Sequence, residues 1–471
     1  MERVSENFMT SIYASDRRIK GRVTFDISDV TVKDDRPAIS VSSNFILSNK
    51  DHLTDNIRDY SFNLATWEPN RFKLDGSFYI PDEVIENNGN IGWCSKNLCD
   101  ETGVFIPSEE LIFEFEQSHS IIGVTITFDT VNNEYATDFI IRAYSDNNLI
   151  NEVIVENNTE VQAVIMGQFL LFDKLSITIN KWAIPYRRAR VAEVDFGIVR
   201  VFEGKELMRM DLTEEIDLLS LNVPSSEFRF VVENLDRKFD IPNAEGYYKY
   251  LQEKQQVIPE LGIELENGST EYIKLGVFYL NDWKSNEEPL SASFVARNVI
   301  DVMNEYDYEN LNPKSNYSLY QLASEIFEIC DITDYEIDPV LHEIETKGLV
   351  EKSTCRNVLQ MIALAGMCNV YVNRQGTLII KRVSDDEIPV DNVKLYNMYN
   401  YPKIKLINPL KSITIMYYTD LNMKHEISFT YADKGETKTI NNTLINTIEH
   451  ATDVAEWIAS HYQNRAIYTV K

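Results

Sequence analysis

Alternating hydrophobic and polar residues dominate the first 300 positions of the chain. In VTFDIS, Val23, Phe25 and Ile27 alternate with polar residues, and the same period of two recurs in LIFEFE, VTITFD and KLSITIN. A period of two marks strands with one buried face. Turn-forming stretches such as DETG, DTVNNE and SDNN separate these runs. Short strands with such turns predict a β-sandwich or jelly roll for about residues 55–197.

Helical periodicity appears after residue 300. In SLYQLASEIFEIC, apolar residues recur on one helical face, and Ser318 with Gln321 forms a capping box. STCRNVLQMIALAGM and TDVAEWIASHYQNR carry similar stripes, which predict helices packed on a core. NVYVNRQGTLIIKRV predicts a hairpin that turns between Asn373 and Gly376. The chain is therefore expected to be mainly β with some α, with a small α+β domain at 305–390.

Composition limits the number of domains and the kinds of partner. The 471 residues suffice for three or four domains of ordinary size. The formal net charge of −29 opposes binding to duplex DNA and to anionic membranes, so neither is expected as a main partner. Solubility alone is the other explanation of this charge. The sequence contains no run of about 18 apolar residues, which predicts no membrane span, and its start lacks the apolar core of a Sec signal peptide.

The five cysteines do not predict a disulfide framework, because their number is odd and their spacing is wide. Cys330, Cys355 and Cys368 lie among apolar residues and are expected to be buried. Cys94 and Cys99 are closer together, but no histidine or second cysteine pair lies nearby at zinc-ligand spacing. The sequence therefore predicts no metal and no cofactor.

The search for catalytic motifs gives no candidate catalytic residue. The sequence lacks a GxSxG elbow, a phosphate-binding GxxxxGK[ST] loop, an HExxH motif and a calcium-loop pattern. With 74 acidic residues, pairs of carboxylates at useful spacing carry no information. The chain is therefore expected not to be an enzyme. A third hypothesis, beside the structural role and the glycan-binding role described below, is an enzyme that acts on cell-wall polymer. No catalytic site can be named for it.

Four aromatic residues of the predicted jelly roll are candidates for a glycan or partner contact: Trp67, Tyr79, Trp93 and Trp182. Exposed tryptophan and tyrosine faces can stack on sugar rings. The alternative is that they fill the core of the sandwich. The basic cluster YRRAR is open to two interpretations as well, a protein contact or a set of local ion pairs.

Two groups of segments resemble tail proteins of phages and prophages of Gram-positive bacteria. TWEPNRFKLDGSFYIP, GWCSKNLCDETGVF and KWAIPYRRARVAEVDFG resemble a segment recurring in these proteins, with the spacing of a galactose-binding-type jelly roll. VRVFEGKEL, SSEFRFVVENLDRKFDIPN, LGVFYLNDW and LSASFVARNVIDVMNEYDY resemble the opening of baseplate hub and tail-associated proteins. The helical runs continue this resemblance, which covers most of residues 198–471.

The resemblance implies a structural role at the virion tail tip, in a particle assembled in the bacterial host cytoplasm. A hub of this family is a homotrimer that joins the tail tube to the distal tail ring and to a spike or fibre, and it forms part of the channel for genome ejection. It adds no chemistry of its own. The alternative is a glycan-binding adsorption protein that attaches to the host through the jelly roll.

The resemblance also implies an order of domains. A discontinuous first hub β-barrel is expected at 20–54 and 198–304, around an inserted jelly roll at 55–197. The α+β domain at 305–390 and an incomplete second hub barrel at 391–471 follow. The strand at Val23 to Ile27 is expected to pair with strands from 199–300. Two similar barrels per chain would let three chains form a pseudo-sixfold ring.

Overall fold

The structure is a computed structural model, and it describes the following parts of the chain: residues 4–14, 16–28, 32, 35–46, 48–58, 64–73, 75, 78, 92–243, 246–286, 288, 290–382, 400–421, 423–463 and 465–470. The protein is mainly β with some α, as the sequence predicts.

Strands up to residue 195 are β1 Ile19–Ser28, β2 Ala38–Val41, β3 Trp93–Cys94, β4 Val104–Thr127, β5 Ala136–Ser145, β6 Asn148–Val155, β7 Gln162–Trp182, β8 Arg190–Val191 and β9 Glu193–Asp195. The next strands are β10 Gly197–Glu203, β11 Leu207–Thr213, β12 Glu227–Glu233, β13 Gln256–Glu264, β14 Thr270–Lys274, β15 Phe278–Asn286 and β16 Ser291–Arg297. The last are β17 Asp307–Asn310, β18 Tyr335–Ile337, β19 Val350–Thr354, β20 Asn369–Val372, β21 Leu378–Lys381, β22 Lys403–Leu406, β23 Leu410–Asp420, β24 Met423–Thr430, β25 Glu436–Asn441 and β26 Ala466–Thr469.

The α-helices are α1 Glu6–Ile12, α2 Val299–Val302, α3 Leu319–Ile329, α4 Cys355–Gly366 and α5 Ile448–His461. Short 3₁₀ helices span Lys50–Thr54, Tyr248–Tyr250, Met303–Glu305 and Pro339–His342. The capping box predicted for Ser318 and Gln321 is present at the start of α3, and the predicted hairpin is the pair β20 and β21.

The first sheet has the strand order β10-β1-β13-β15-β16-β12-β11, with β14 paired to β13. Strand β1 lies between β10 and β13, so Val23 pairs with Phe202 on one side and with Pro259 on the other. This is the pairing that the sequence predicts for the strand at Val23 to Ile27. The chain leaves the sheet after Ser28 and returns at Gly197, which is the residue paired with Ser28.

This sheet curls so that its last strand, β11, comes close to β1. Strands β10 and β11 stand at opposite ends of the strand order, yet only a short turn at Gly204 joins them. Leu207 and Met210 of β11 lie over Gly21 of β1, where a Cβ atom would be 2.5 Å from the Met210 sulfur. A side chain at residue 21 would therefore displace the side chain of Met210.

Phenylalanine rings fill the inside of the curl. Phe25 makes edge contacts with Phe230 and Phe294 at centroid distances of 6.0 and 5.3 Å. Phe230 and Phe294 are stacked at 4.8 Å. Because these rings come from β1, β12 and β16, the curled sheet has its own packed core, and we call it the barrel-like unit.

The jelly roll is built on the sheet β2-β4-β7-β5-β6, in which β9 also pairs with β4. The runs LIFEFE and VTITFD belong to one strand, β4, whose pairing with β7 shifts register at several points. The boundary at residue 54 also differs from the expectation. Strand β2 pairs with β4, and Val32 and Leu53 are buried in the jelly-roll core. The insertion therefore begins soon after Ser28, because these apolar side chains pack on the jelly roll.

Residues after 305 differ from the expectation of a separate second barrel. In the described parts, β23 pairs with β24 and β25, and β22 pairs only with β26. Helix α5 buries Val454 and Ile458 in the same apolar core as α3 and α4. The helical domain and the last strands thus form one packed unit, because the apolar faces of all three helices point into a common core.

Candidate functional site

An exposed tryptophan stands on a tight turn of the jelly roll. The backbone N–H of Thr66 donates to the Arg71 carbonyl at 3.1 Å, and the N–H of Arg71 donates to the Glu68 carbonyl at 3.0 Å. Asn70 has a φ of +61°, which asparagine tolerates better than most residues. Trp67 is 99% exposed at the tip. We call residues 66–71 the Trp67 turn.

Glu68 anchors the Trp67 turn to the body of the jelly roll. Its carboxylate accepts hydrogen bonds from both terminal nitrogens of Arg190 and from the backbone N–H of Arg188 at 2.8 Å. Burial favours the neutral acid, but the hydrogen bonds and charge of Arg190 outweigh it and lower the pKa of Glu68 to about 2. The carboxylate is therefore ionised at neutral pH, and it holds the turn through a buried ion pair.

Arg71 provides a second anchor on the other side of the turn. Its guanidinium is 97% covered by protein and lies 3.0 Å from Asp129 and 2.9 Å from Glu134. Glu134 also accepts from the Arg187 side chain at 3.1 Å, and Arg187 donates in turn to the carbonyl of Pro69. Three carboxylates and the guanidinium groups around them thus form one buried network beneath Trp67.

The basic cluster YRRAR contributes to this network, so its interpretation as local ion pairs is confirmed. Arg187, Arg188 and Arg190 all pair with Glu134 or Glu68. The same loop exposes Tyr186 to 47%, and Arg187 ties this loop to the Trp67 turn. Tyr186 is an exposed aromatic residue beside the network that the sequence reasoning did not select, although it begins the YRRAR motif.

The other predicted contact residues lie elsewhere. Trp93 and Trp182 are buried, with exposures of 0% and 1%; the Trp93 indole N–H donates to the Ser43 carbonyl, and the Trp182 ring packs edge-on against Phe128. Protein covers both faces of these indoles, so for these two residues the core-filling alternative holds and the expected contact does not. Tyr79 lies outside the described residues.

A rigid, exposed aromatic ring suits binding better than chemistry. Trp67 offers two apolar faces and an indole N–H, and Phe72, beside the turn, is 54% exposed. Such a surface can stack on the C–H face of a sugar or on an apolar side chain of a protein. The carboxylates beneath are held in ion pairs, which anchor the turn and keep these acids from solvent.

A second buried charged cluster lies where the chain crosses between the barrel-like unit and the jelly roll. Arg58 donates to Asp195 at 2.6 Å and to Asp26 at 2.9 Å. Asp26 belongs to β1 and Asp195 to β9, so one side chain bridges the outgoing and returning strands. Both carboxylates are buried, and Glu193 lies beside them. We call these four residues the junction cluster.

The surroundings of Glu193 at this junction favour its neutral form. Burial, followed by the nearby charge of Asp195, raises the pKa of Glu193 well above its ordinary value. One carboxyl oxygen accepts from the backbone N–H of Asn56 at 3.0 Å, and the other, Oε2, has no hydrogen-bond partner in the described structure. Burial also disfavours charged Arg58, but the charges of Asp195 and Asp26 outweigh it and raise the pKa of Arg58.

The burial predicted for three of the cysteines can be compared with the structure. All five cysteines are buried and free, which confirms burial for Cys330, Cys355 and Cys368. Burial raises the pKa of the Cys94 thiol to about 11. Among the described residues, no group of three or more histidine, cysteine or acidic side chains is placed to hold a metal ion. None of the described helices is long and apolar enough to cross a membrane.

No protein-family model matches the chain, and no curated protein matches it. Among solved structures, it is similar to the tail protein from Neisseria meningitidis MC58, at 12% identity and a TM-score of 0.38, over 57% of this chain and 77% of that one. It is also similar to the 43 kDa tail protein of prophage MuSo2 from Shewanella oneidensis, at 12% identity and a TM-score of 0.34. This match covers 57% of this chain and 78% of that one. The family 32 carbohydrate-binding module of C. perfringens NanJ, solved with galactose, matches 38% of this chain and 99% of its own, at 12% identity and a TM-score of 0.23.

Proposed function

We propose that the chain is a structural component of the tail tip of a phage or of a phage-like injection particle. In this proposal it is a baseplate hub that links the tail tube to the distal tip and forms part of the ejection channel. Its partners are two further copies of itself, the distal tail ring, the tube protein and a spike or fibre.

The curled sheet with its peripheral insertion is the observation that carries this proposal. The barrel-like unit has its own core of phenylalanine rings, and the jelly roll leaves and re-enters it at the paired residues Ser28 and Gly197. A barrel of this kind can stand in the wall of a ring, while the inserted domain projects without interrupting the strand order. The resemblance of residues 198–471 to hub proteins supports the same role.

Function then follows from geometry and charge, without catalysis by the chain. A channel wall must let DNA or a protein tape slide past without adhering. The net charge of −29 suits such a wall, because like charges weaken binding to the phosphate backbone. For the third hypothesis, an enzyme acting on cell-wall polymer, the sequence motifs name no catalytic residue.

Labelling of the parent particle tests the tail-tip assignment. Gold-labelled antibody against the purified chain is expected to mark the distal end of the tail in electron micrographs. A reconstruction is then expected to show three copies around the channel, with a total mass three times 54.5 kDa. Label on the capsid, along the tail shaft, or absent from the particle would contradict the proposal.

The Trp67 turn supports a second candidate function, glycan binding during adsorption. A tryptophan that is 99% exposed buries almost no apolar surface, so folding gains nothing from it. The buried ion network beneath it nevertheless holds its turn in one conformation. An anchored turn that presents an aromatic ring reduces the backbone ordering cost of binding a sugar face.

A glycan array with the full chain tests this candidate. The wild-type protein is expected to bind a host cell-wall glycan, and Trp67→Ala is expected to lose most of that signal. Tyr13→Ala is the matched control, since Tyr13 is 59% exposed and directly follows helix α1, outside the jelly roll. An array without any bound glycan would contradict glycan binding, and equal binding by Trp67→Ala would remove the Trp67 turn as its site.

A further inference from the structure

Strands β22 and β26 form a separate two-stranded ribbon, which we call the terminal ribbon. Lys403 pairs with Thr469, Ile404 with Tyr468, Lys405 with Ile467 and Leu406 with Ala466. In the described parts of the chain, no third strand joins this pair. An isolated two-stranded ribbon is marginally stable in water, so it needs contacts from elsewhere.

The two faces of the terminal ribbon differ in chemistry. Side chains alternate between faces along a strand, so Ile404, Leu406, Tyr468 and Ala466 share one face. The first three are exposed to 62%, 64% and 61% of their surface. Both lysines of β22 lie on the opposite face. The ribbon thus presents an uncovered apolar face backed by positive charge.

The charge of the terminal ribbon is opposite to that of the rest of the protein. Residues 400–412 and 461–470 contain no acidic side chain, but they contain Lys403, Lys405, Lys411 and Arg465. The whole chain has 74 acidic and 45 basic residues. A basic, apolar ribbon on an acidic protein is therefore complementary to the surface of another copy of the same chain.

One exposed segment matches the terminal ribbon in both charge and apolarity. Residues 214–218, with the sequence EEIDL, directly follow β11, and the Asn369 side chain donates to the carbonyls of Asp217 and Leu218. Ile216 and Leu218 are exposed to 48% and 56%. Beside them, Glu214 pairs with Arg374 and Asp217 accepts from the backbone N–H of Leu219, whereas Glu215 is exposed and makes no ion pair with the described residues. This acidic and aliphatic alternation is the counterpart of KIKL in β22. We call residues 214–218 the acidic segment.

We propose that the terminal ribbon of one copy binds the acidic segment of a second copy. The apolar face covers Ile216 and Leu218, and the long side chains of Lys403 and Lys405 extend from the opposite face past the edge of the ribbon toward Glu215. Because two different surfaces meet, the contact is heterologous, and repetition of it produces a closed ring or an open chain of copies. The inference does not rest on the proposed tail function, since a ring of any size satisfies it.

Duplex DNA and anionic membranes are the other classes of partner for a basic, apolar ribbon. Both would meet the repulsion of the remaining chain, whose net charge is −29. A second copy offers carboxylates and aliphatic side chains in the same five residues. The second copy is therefore the partner that the observations favour.

Charge reversal tests the contact. The mass of the full chain is measured by light scattering and by sedimentation at low and at high micromolar concentration. Wild type is expected to self-associate, and Lys405→Glu and Glu215→Lys are each expected to weaken association by about tenfold or more. A chain carrying both changes is expected to recover association, because the pair is restored with its signs exchanged.

Ile404→Ser tests the apolar face, and Met423→Ser is its control, since Met423 is 63% exposed on β24, outside the ribbon. Thermal melts establish that each variant is folded. Weakened association of Ile404→Ser alone supports the contact. A wild-type monomer at every concentration overturns it, and so does association that the ribbon variants leave unchanged.

Two further binding experiments distinguish a second copy of the chain from duplex DNA and from a membrane as the partner of the ribbon. Wild type and Ile404→Ser are mixed with duplex DNA and with phosphatidylserine vesicles. No binding of either by the wild type is the expected result. Binding that Ile404→Ser abolishes, from a chain that does not self-associate, would assign the ribbon to DNA or to a membrane and overturn the proposal.

Discussion

Arg58 donates a hydrogen bond to Asp195 at 2.6 Å, and the exposures of the two side chains are only 11% and 1%. Asp195 lies at the point where the chain returns from the jelly roll to the barrel-like unit. This ion pair, together with Asp26, therefore fixes how the inserted domain is attached.

Replacing Arg58 by methionine is expected to destabilise the protein strongly. The change leaves Asp26 and Asp195 buried without their counter-charge, and breaking such a pair costs about 3–5 kcal/mol. Urea denaturation measures the loss. Arg209→Met, which removes an exposed pair with Asp211, is the control and is expected to have no measurable effect. Equal stability of the two variants would show that the junction cluster does not hold the domains together.

Glu193→Gln is expected to stabilise the protein increasingly as pH rises. The pKa of Glu193 is raised in the folded state, so above about pH 4.5 the unfolded chain loses this proton while the folded protein keeps it. Wild-type stability therefore falls relative to the glutamine variant as pH increases from 4.5 to the folded-state pKa. Thermal melts between pH 5 and pH 8, at about unit intervals, measure the difference in Tm. A difference that is constant with pH would contradict a neutral Glu193.

Glu68→Gln is expected to show the opposite dependence on pH. The pKa of Glu68 is lowered from 4.5 to about 2, so its ionised form stabilises the folded state above pH 4.5. This contribution, on the order of 3 kcal/mol, is lost as pH falls from 4.5 toward 2. The destabilisation by Glu68→Gln should thus be largest near neutral pH and small in acid. Glu253→Gln, at an exposed position, serves as the control in the same denaturation series.

The tryptophans of the jelly roll are expected to differ sharply in their effect on stability. Trp67→Ala should leave Tm unchanged, because the side chain has almost no covered surface. Trp182→Ala should cost about 3–5 kcal/mol, since it empties a large volume in the core. A marked loss of stability in Trp67→Ala would indicate a structural role for this residue and would argue against a binding site.

The strands and helices follow from local patterns, and so does the pairing of β1. VTFDIS has one apolar face and no neighbouring strand in sequence, so it needs partners from later in the chain, which β10 and β13 provide. Helix α3 was predictable down to its capping box because caps depend on residues only three positions apart.

Features set by long-range packing were not predictable in the same way. The sequence pattern of the segment with Ile39 and Val41 fits a strand of the barrel and a strand of the jelly roll equally well. Only its pairing with β4 assigns it to the jelly roll. The arginines of YRRAR suggest ion pairs, but Glu68 is separated from Arg190 by 122 positions in sequence, so the partner could not be named. The burial of Trp93 and Trp182 could not be predicted either, because it depends on which faces of the sheets enclose them.

The pairing of Ser28 with Gly197 makes the jelly roll an insertion that can be removed or replaced as a unit. Its entry and exit points are adjacent, so a short turn can replace the whole insert, and a different domain with closely spaced ends can take its place. Neither change alters the order of strands around it. Domains with different surfaces can in this way replace one another while the supporting architecture stays unchanged.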